Sequence, residues 1–279
     1  ITHFCTMGAI SDVDNIGDWN RARQWILAMA VAMVGFAALG AGGLIRPEDA
    51  LYASPRWSWL STSLGGFMFG IGMVMASGCG NKTLIRCGTG NMKAWVVFLV
   101  MGISAFATLR GITAVIRNAT VDQVFIGIEP QANLGRLLSS WLGLNATTGP
   151  MWVGLVLGLA LIVWVMSHRE FRTGGNLLAG LGCGGVVVAM WWLTGHVGYV
   201  EEHPQTLEQV YVATNSGRME ALSFVAPTAY VLDWLMFFSD KSKLLTLGVM
   251  IATGVIVGSF VSSLFTRTFR WEGFGSVED

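Results

Sequence analysis

The sequence predicts an all-α fold, a polytopic bundle of transmembrane helices, and three observations carry that prediction. Of the 279 residues, 53% are hydrophobic and only 12% are charged, where a soluble domain carries about 25% charged residues. Mean hydropathy is +0.58. Apolar runs close to membrane-spanning length recur along the chain, bounded by clusters of Lys, Arg, Pro or Gly. So few charges cannot clothe a globule of this size in water, and a lipid bilayer is the partner the composition demands. The 36 glycines and 12 tryptophans agree, because membrane helices use glycine at close approaches and tryptophan at the interfaces. The formal net charge is zero, which argues against a nucleic-acid partner and against a protein held electrostatically on a membrane surface.

Spanning the hydrocarbon core takes roughly 20 apolar residues in a helix. Residues 24–45, 59–77, 94–109, 151–166 and 244–265 meet that requirement. A sixth run, 177–198, is nearly as apolar but contains Cys183 and His196. Two further stretches are interrupted: 4–19 by Asp12, Asp14 and Asp18, and 226–238 by Pro227 and Asp233. Broken backbone at membrane depth survives only where protein or a water-filled cavity satisfies it, so both read as re-entrant or interfacial pieces. For the second, an amphipathic surface helix is an equal alternative.

The long polar connections are 117–150 and 200–225. Asn118-Ala119-Thr120 and Asn145-Ala146-Thr147 match glycosylation sequons, a pattern too common to carry weight. Lys and Arg divide almost evenly between alternate loops, so the positive-inside rule does not orient the chain. Residues 1–279 read as a single integral membrane domain. The start at Ile1, with no signal-peptide pattern, and the stop at Asp279 lead to the expectation that the chain belongs to a longer protein.

Chemistry concentrates in two places. Residues 78–91 read Gly78-Cys79-Gly80-Asn81-Lys82-Thr83-Leu84-Ile85-Arg86-Cys87-Gly88-Thr89-Gly90-Asn91. Glycines beside Cys79 permit close approach and positive φ, and successive backbone N–H groups in such a turn make a concave anion site, to which an adjoining helix N-terminus adds positive potential. Lys82 and Arg86 supply charge; the bland alternative is a tight loop with two snorkelling cations. The second place is Phe4-Cys5-Thr6-Met7-Gly8-Ala9-Ile10-Ser11-Asp12, a thiol and a hydroxyl ahead of small residues and a carboxylate that can also be a helix cap. Cys79 and Cys87 lack the further ligands zinc requires, so no metal and no cofactor are expected. Cys87 has no assigned role, and Cys183 reads as a small apolar filler of a membrane helix. His196 reads as interfacial, Trp191-Trp192 as an anchor or packing surface, and Asp233 as an intramembrane carboxylate divided between a functional and an interfacial reading.

These two stretches, from His3 through Asp12 and from Gly78 through Asn91, resemble the YeeE/YedE family of membrane proteins, known for thiosulfate uptake. The run Thr266-Arg267-Thr268-Phe269-Arg270-Trp271-Glu272-Gly273-Phe274 is similar to that family's lead-in to a second glycine–cysteine loop, which would lie beyond Asp279. The resemblance implies inverted internal repeats and cysteine-bearing loops near the membrane midplane. It also implies a transporter, not an enzyme, in the inner (cytoplasmic) membrane. The substrate would be thiosulfate or a related small sulfur-containing anion. The implied substrate-binding residues are Cys5, Cys79, Gly78, Gly80, Asn81, Thr83, Gly88, Gly90 and Asn91, with Lys82 and Arg86 as vestibule charges. A soluble sulfur-carrier or sulfurtransferase protein is an implied partner. The residues leave two other readings open: a membrane sulfurtransferase forming a persulfide on Cys79, and an accessory subunit of a larger membrane complex.

Overall fold

A computed structural model describes residues 4–127, 134–143, 145, 148–202, 209–240 and 245–274. His3, the start of the first motif, and residue 244, the start of the last apolar run, lie outside the described residues. The chain is built almost entirely from helices: α1 (Thr6–Asn15), α2 (Asn20–Ala41), α3 (Trp59–Met75), α4 (Gly80–Gly88), α5 (Met92–Arg110), α6 (Ile112–Ala119), α7 (Leu134–Trp141), α8 (Gly149–Ser167), α9 (Gly174–Trp192), α10 (Ala226–Met236) and α11 (Leu247–Phe265). Among the described residues there are also short 3-10 turns and two small antiparallel ribbons, β1 (Arg56–Trp57) with β2 (Ile126–Gly127) and β3 (Tyr199–Val200) with β4 (Val210–Tyr211). Among the described residues, six helices are long and apolar enough to cross a membrane: Asn20–Ala41, Trp59–Gly88, Met92–Arg110, Gly149–Ser167, Gly174–Val197 and Leu247–Phe265. They coincide with the six apolar runs of the sequence, the second joining α3 to α4 through a turn.

The chain forms two compact units, Ile1–Trp57 with Ile126–Leu222 and Ser58–Phe125 with Ser223–Asp279. In the first unit α2 is the central helix, flanked by α8 and α9. Apolar area gives little drive between helices in lipid, so packing depends on how closely backbones approach. Glycine makes that approach here. A Cβ added to Gly180 would lie 2.6 Å from Leu27, one on Gly184 2.7 Å from Val31, and one on Gly158 2.6 Å from Val34. The pairs 180/184 and 27/31 are each one helical turn apart, so two ridges interlock along one face. Val for Gly184 therefore overpacks the α2–α9 seam, and the expected cost is about 1–3 kcal/mol. Thermal unfolding in detergent checks this, with Gly182→Val as the control, because Gly182 faces open space and its change is expected to leave the transition in place.

Within the polar connection 200–225, Tyr211 and Met219 join a buried cluster with Ile45, Ala50 and Trp191. Tyr211, in the short apolar run 210–213, and Met219, flanked by Arg218 and Glu220, both close over the end of α9. There α9 loosens into a π-helical turn, Leu193–Val197. The buried Thr194 hydroxyl lies 2.9 Å from the carbonyl oxygens of both Met190 and Glu220, joining that turn to the returning chain. Trp191 is a packing residue, edge-on to Phe36 at 4.9 Å, whereas Trp192 and His196 are exposed and stacked on each other.

The Tyr211 hydroxyl donates to the Asp49 carboxylate at 2.8 Å. Burial first, then that hydrogen bond and the Asp49 charge, push the phenol above its ordinary range. The folded state thus holds the proton more tightly than the unfolded chain. This contribution to stability is present below the usual tyrosine pKa of about 10 and is lost as pH rises beyond it. Stability of the wild type is expected to fall between about pH 9 and 11 more steeply than that of Tyr211→Phe, as thermal unfolding across that range would show.

In the second unit α5 packs on α10, and α11 on α4 and α10. Leu84, Cys87, Ala94, Phe98, Val231, Val249 and Ala252 form its core. The run 226–238 is an inner helix, not a surface one: Pro227, Thr228, Ala229 and Val231 of α10 are all buried. Asp233 is half-buried. Pro227 lies in the first turn, where a missing N–H costs nothing. α3 has no buried residue and exposes Phe67, Met68, Val74 and Met75.

Candidate functional site

The two cysteine motifs adopt the same local structure, one in each unit. Cys5 is the N-cap of α1 and Cys79 the N-cap of α4, both with extended backbone (φ −151°, ψ 128° and φ −78°, ψ 169°). The helices they open have 10 and 9 residues. At about 1.5 Å per residue, each reaches about half of a 30 Å hydrocarbon core. Each ends in a turn containing a glycine of positive φ, Gly17 (73°) and Gly90 (95°), and leads into a long helix. A short polar side chain braces that second start in both cases: Asp18 Oδ1 accepts from the Asn20 N–H at 2.9 Å, and Asn91 Oδ1 from the Ala94 N–H at 3.0 Å.

Cysteine is an unusual choice at an N-cap. Ser, Thr, Asp or Asn there would accept a hydrogen bond from the first turn, whereas a thiol is a weak acceptor. Neither Cys5 nor Cys79 makes a side-chain cap bond, and neither first turn holds an acidic residue. The first intrahelical bonds are Ala9 N–H to Cys5 O at 2.9 Å and Thr83 N–H to Cys79 O at 3.0 Å. By helix geometry, the N–H groups ahead of these, of Thr6, Met7 and Gly8 and of Gly80, Asn81 and Lys82, have no intrahelical acceptor. They carry the positive end of the helix dipole. Both thiols are partly exposed. Each motif therefore offers an anion a set of unfilled donors with a soft, polarizable sulfur beside them.

The sequence motif of residues 78–91 resolves into the two ends of α4. Gly78, Cys79, Gly80, Asn81 and Lys82 gather at its start. Arg86, Gly88, Gly90 and Asn91 lie at its finish, about 13 Å along the axis by helix rise, so the two glycine clusters are not brought together. Lys82 folds its stem over Gly78, where a Cβ would lie 2.7 Å from Lys82 Cδ. Thr83 is buried and its hydroxyl donates back to the Cys79 carbonyl at 3.3 Å. Gly88 lets α4 cross α11, where a Cβ would strike the Ile256 and Phe260 backbone. Arg86 lines a cavity of about 710 Å³ with Ser77, Thr83, Asn91, Lys93 and Glu272. Cys87 belongs to the core, and Cys183 is half-buried on α9.

One positioning pair escaped the sequence. Arg21 of α2 lies 3.1 Å from Asp12 of α1, and its guanidinium rests on Gly8, where a Cβ would come within 2.5 Å. Phe4, just ahead of Cys5, stacks on Trp25 at 4.5 Å. Asp12 thus braces α1 against α2 instead of capping a helix. The signal was present as an aspartate and an arginine with a glycine-hinged turn between them, but only the fold turns α1 back onto α2. Arg21→Ala is expected to free the start of α1 and to speed maleimide labelling of Cys5 about two- to fivefold, the effect of a partly exposed ion pair. Labelling of Cys79, measured in parallel on the same protein, is expected to stay unchanged.

Among the described residues, six helices long and apolar enough to cross a membrane, with two thiol-capped half-helices beside them, mark a multi-pass membrane protein. The chain belongs to the sulphur transport family, whose model matches residues 2–278. It is similar to the thiosulfate transporter TsuA of Escherichia coli (strain K12), with 25% identity over 282 residues that cover 96% of this chain and 71% of that protein. It is also similar to the thiosulfate transporter TsuA of Spirochaeta thermophila, with 30% identity over 172 residues that cover 59% of this chain and 49% of that protein.

Proposed function

We propose that this chain is a transporter that takes up thiosulfate, or a closely related small sulfur anion, across the inner (cytoplasmic) membrane. The observation that carries this reading is the pair of cysteine N-caps, each opening a half-helix whose first turn lacks both a cap and a carboxylate. The names of the two relatives support the substrate class. A dianion leaving water meets a large desolvation cost, and conduction needs that hydration replaced without a tight trap. Backbone N–H groups at the starts of α1 and α4 replace it with partial charges. The Cys5 and Cys79 thiols donate weak hydrogen bonds and suit a sulfur-bearing ligand better than a hydroxyl would.

Around Cys79, Gly78, Gly80 and Asn81 keep the approach open, Lys82 adds a full charge, and Thr83 fixes the Cys79 carbonyl. Gly88, Gly90 and Asn91 shape the far end of α4, where Arg86 concentrates anions. The whole chain works as one integral membrane domain, and a soluble sulfur-carrier or sulfurtransferase protein collects the product.

Liposomes containing the full-length protein, with sulfate as the competing anion, test this reading. Wild type is expected to accumulate thiosulfate selectively. A hydrogen bond to a charged group contributes about 1.5–3 kcal/mol and a thiol, as a weak donor, falls at the low end, so Cys79→Ala is expected to lower uptake about tenfold. Undiminished uptake by the double variant Cys5→Ala, Cys79→Ala would remove the thiols from the mechanism.

A further inference from the structure

Beyond α11 the chain reverses at Arg267, which has a φ of 55°, and lays residues 270–272 along the turn between α4 and α5. Three backbone bonds hold this strap: Arg270 N–H to Thr89 O at 3.4 Å, Glu272 N–H to Gly90 O at 3.2 Å, and Met92 N–H to Glu272 O at 2.9 Å. Gly90 is what admits it. A Cβ there would lie 2.5 Å from the Arg270 carbonyl oxygen, and the φ of 95° disfavours any side chain. Asn91 Nδ2 then donates to Glu272 Oε2 at 2.6 Å, while Asn91 Oδ1 caps α5. One asparagine therefore ties the Glu272 carboxylate to the start of a spanning helix.

That carboxylate lines the 710 Å³ cavity together with Arg86 and Lys93. Arg86 and Lys93 bring positive charge to its lining, and Glu272 sets a negative charge beside them. A carboxylate in the lining weakens the pull of these cations on a dianion without abolishing it. A conducting site must bind weakly enough to release.

We propose that Glu272 is a specificity-setting residue of this anion cavity, a tethered counter-charge that keeps its affinity for a sulfur dianion low enough for passage. The inference rests on the proposed transport function and adds to it a residue that neither the cysteine motifs nor the vestibule cations include. Glu272→Gln is the discriminating variant. It keeps an acceptor for Asn91 Nδ2, and so the turn, but deletes the charge. Glu272→Ala deletes both.

The test is thiosulfate binding to the full-length protein in detergent, measured by calorimetry at two ionic strengths, alongside liposome uptake. Glu201→Gln, an exposed carboxylate of the other unit, is the charge-matched control. Glu272→Gln is expected to bind about three- to tenfold more tightly than wild type, as removal of one nearby unit charge implies. Its affinity should also be more sensitive to salt, and its maximal uptake rate lower. Equal binding by Glu272→Gln and wild type overturns the proposal. So does weakened binding in both Glu272 variants, which would mean that the residue only holds the turn. Wild type that binds no thiosulfate overturns it as well, since there would be no affinity to set. If wild type binds thiosulfate but moves none, transport fails as the function while the binding comparison still decides the role of Glu272.

Discussion

Everything in this molecule depends on how close one helix backbone can come to another. In lipid, a leucine gains little by leaving acyl chains for a neighbouring helix, so affinity between helices has to come from dense van der Waals contact and from polar groups meeting at short range. Glycines supply the first. Gly158, Gly180 and Gly184 seat α8 and α9 on α2 in one unit, while Gly88 and Gly102 let α4 cross α11 and α5 cross α10 in the other. Single hydroxyls supply the second. Thr194 reaches the Glu220 carbonyl, and Ser259 donates to the Ile85 carbonyl at 2.7 Å near the α4–α11 crossing. The half-helices keep their places because longer helices pin them in this way.

The contrast between the two classes of glycine is informative. Those at crossings have neighbours that a methyl group would hit, and their backbone angles are ordinary. Gly17 and Gly90 have positive φ and end the half-helices. Gly65, Gly66, Gly70 and Gly72 of α3 meet nothing within 4 Å. A glycine count alone, high as it is here, cannot separate these uses; the partner across the crossing or the backbone angle must be known.

The six spanning helices were legible because a 20-residue apolar run is a one-dimensional property, and each run matched a helix to within a few residues. The cysteine motifs were legible as motifs. Their geometry was not: residues 78–91 read as one glycine-rich loop, yet nine of them form a helix that sends Arg86 and Asn91 to the opposite end from Cys79. Local propensity favours this outcome only weakly, since α4 contains two glycines and a threonine. The burial of Leu84 and Cys87 against α11 decides it. Within the connection 200–225, the packing of Tyr211 and Met219 on the end of α9 was not legible, because periodicity cannot show which side chains of a connection meet a distant helix end. The Asn91–Glu272 contact joins residues too far apart in sequence for spacing to pair them, and the nearer Asp12–Arg21 pair forms only because the turn at Gly17 folds α1 back onto α2.

An N-cap cysteine that accepts no hydrogen bond leaves the first turn of its helix unfinished. Natural caps supply that last acceptor covalently, from the chain itself. In the proposed function, at Cys5 and Cys79 it comes from the transported solute. Any anion that docks there completes the helix end and, by mass action, draws the protein toward its folded, fully wound form in proportion to its concentration. Rigidity at these two points would then not be a constant of the sequence. Under the proposed function it would follow the external supply of the solute, with the helix ends most ordered when there is cargo at hand.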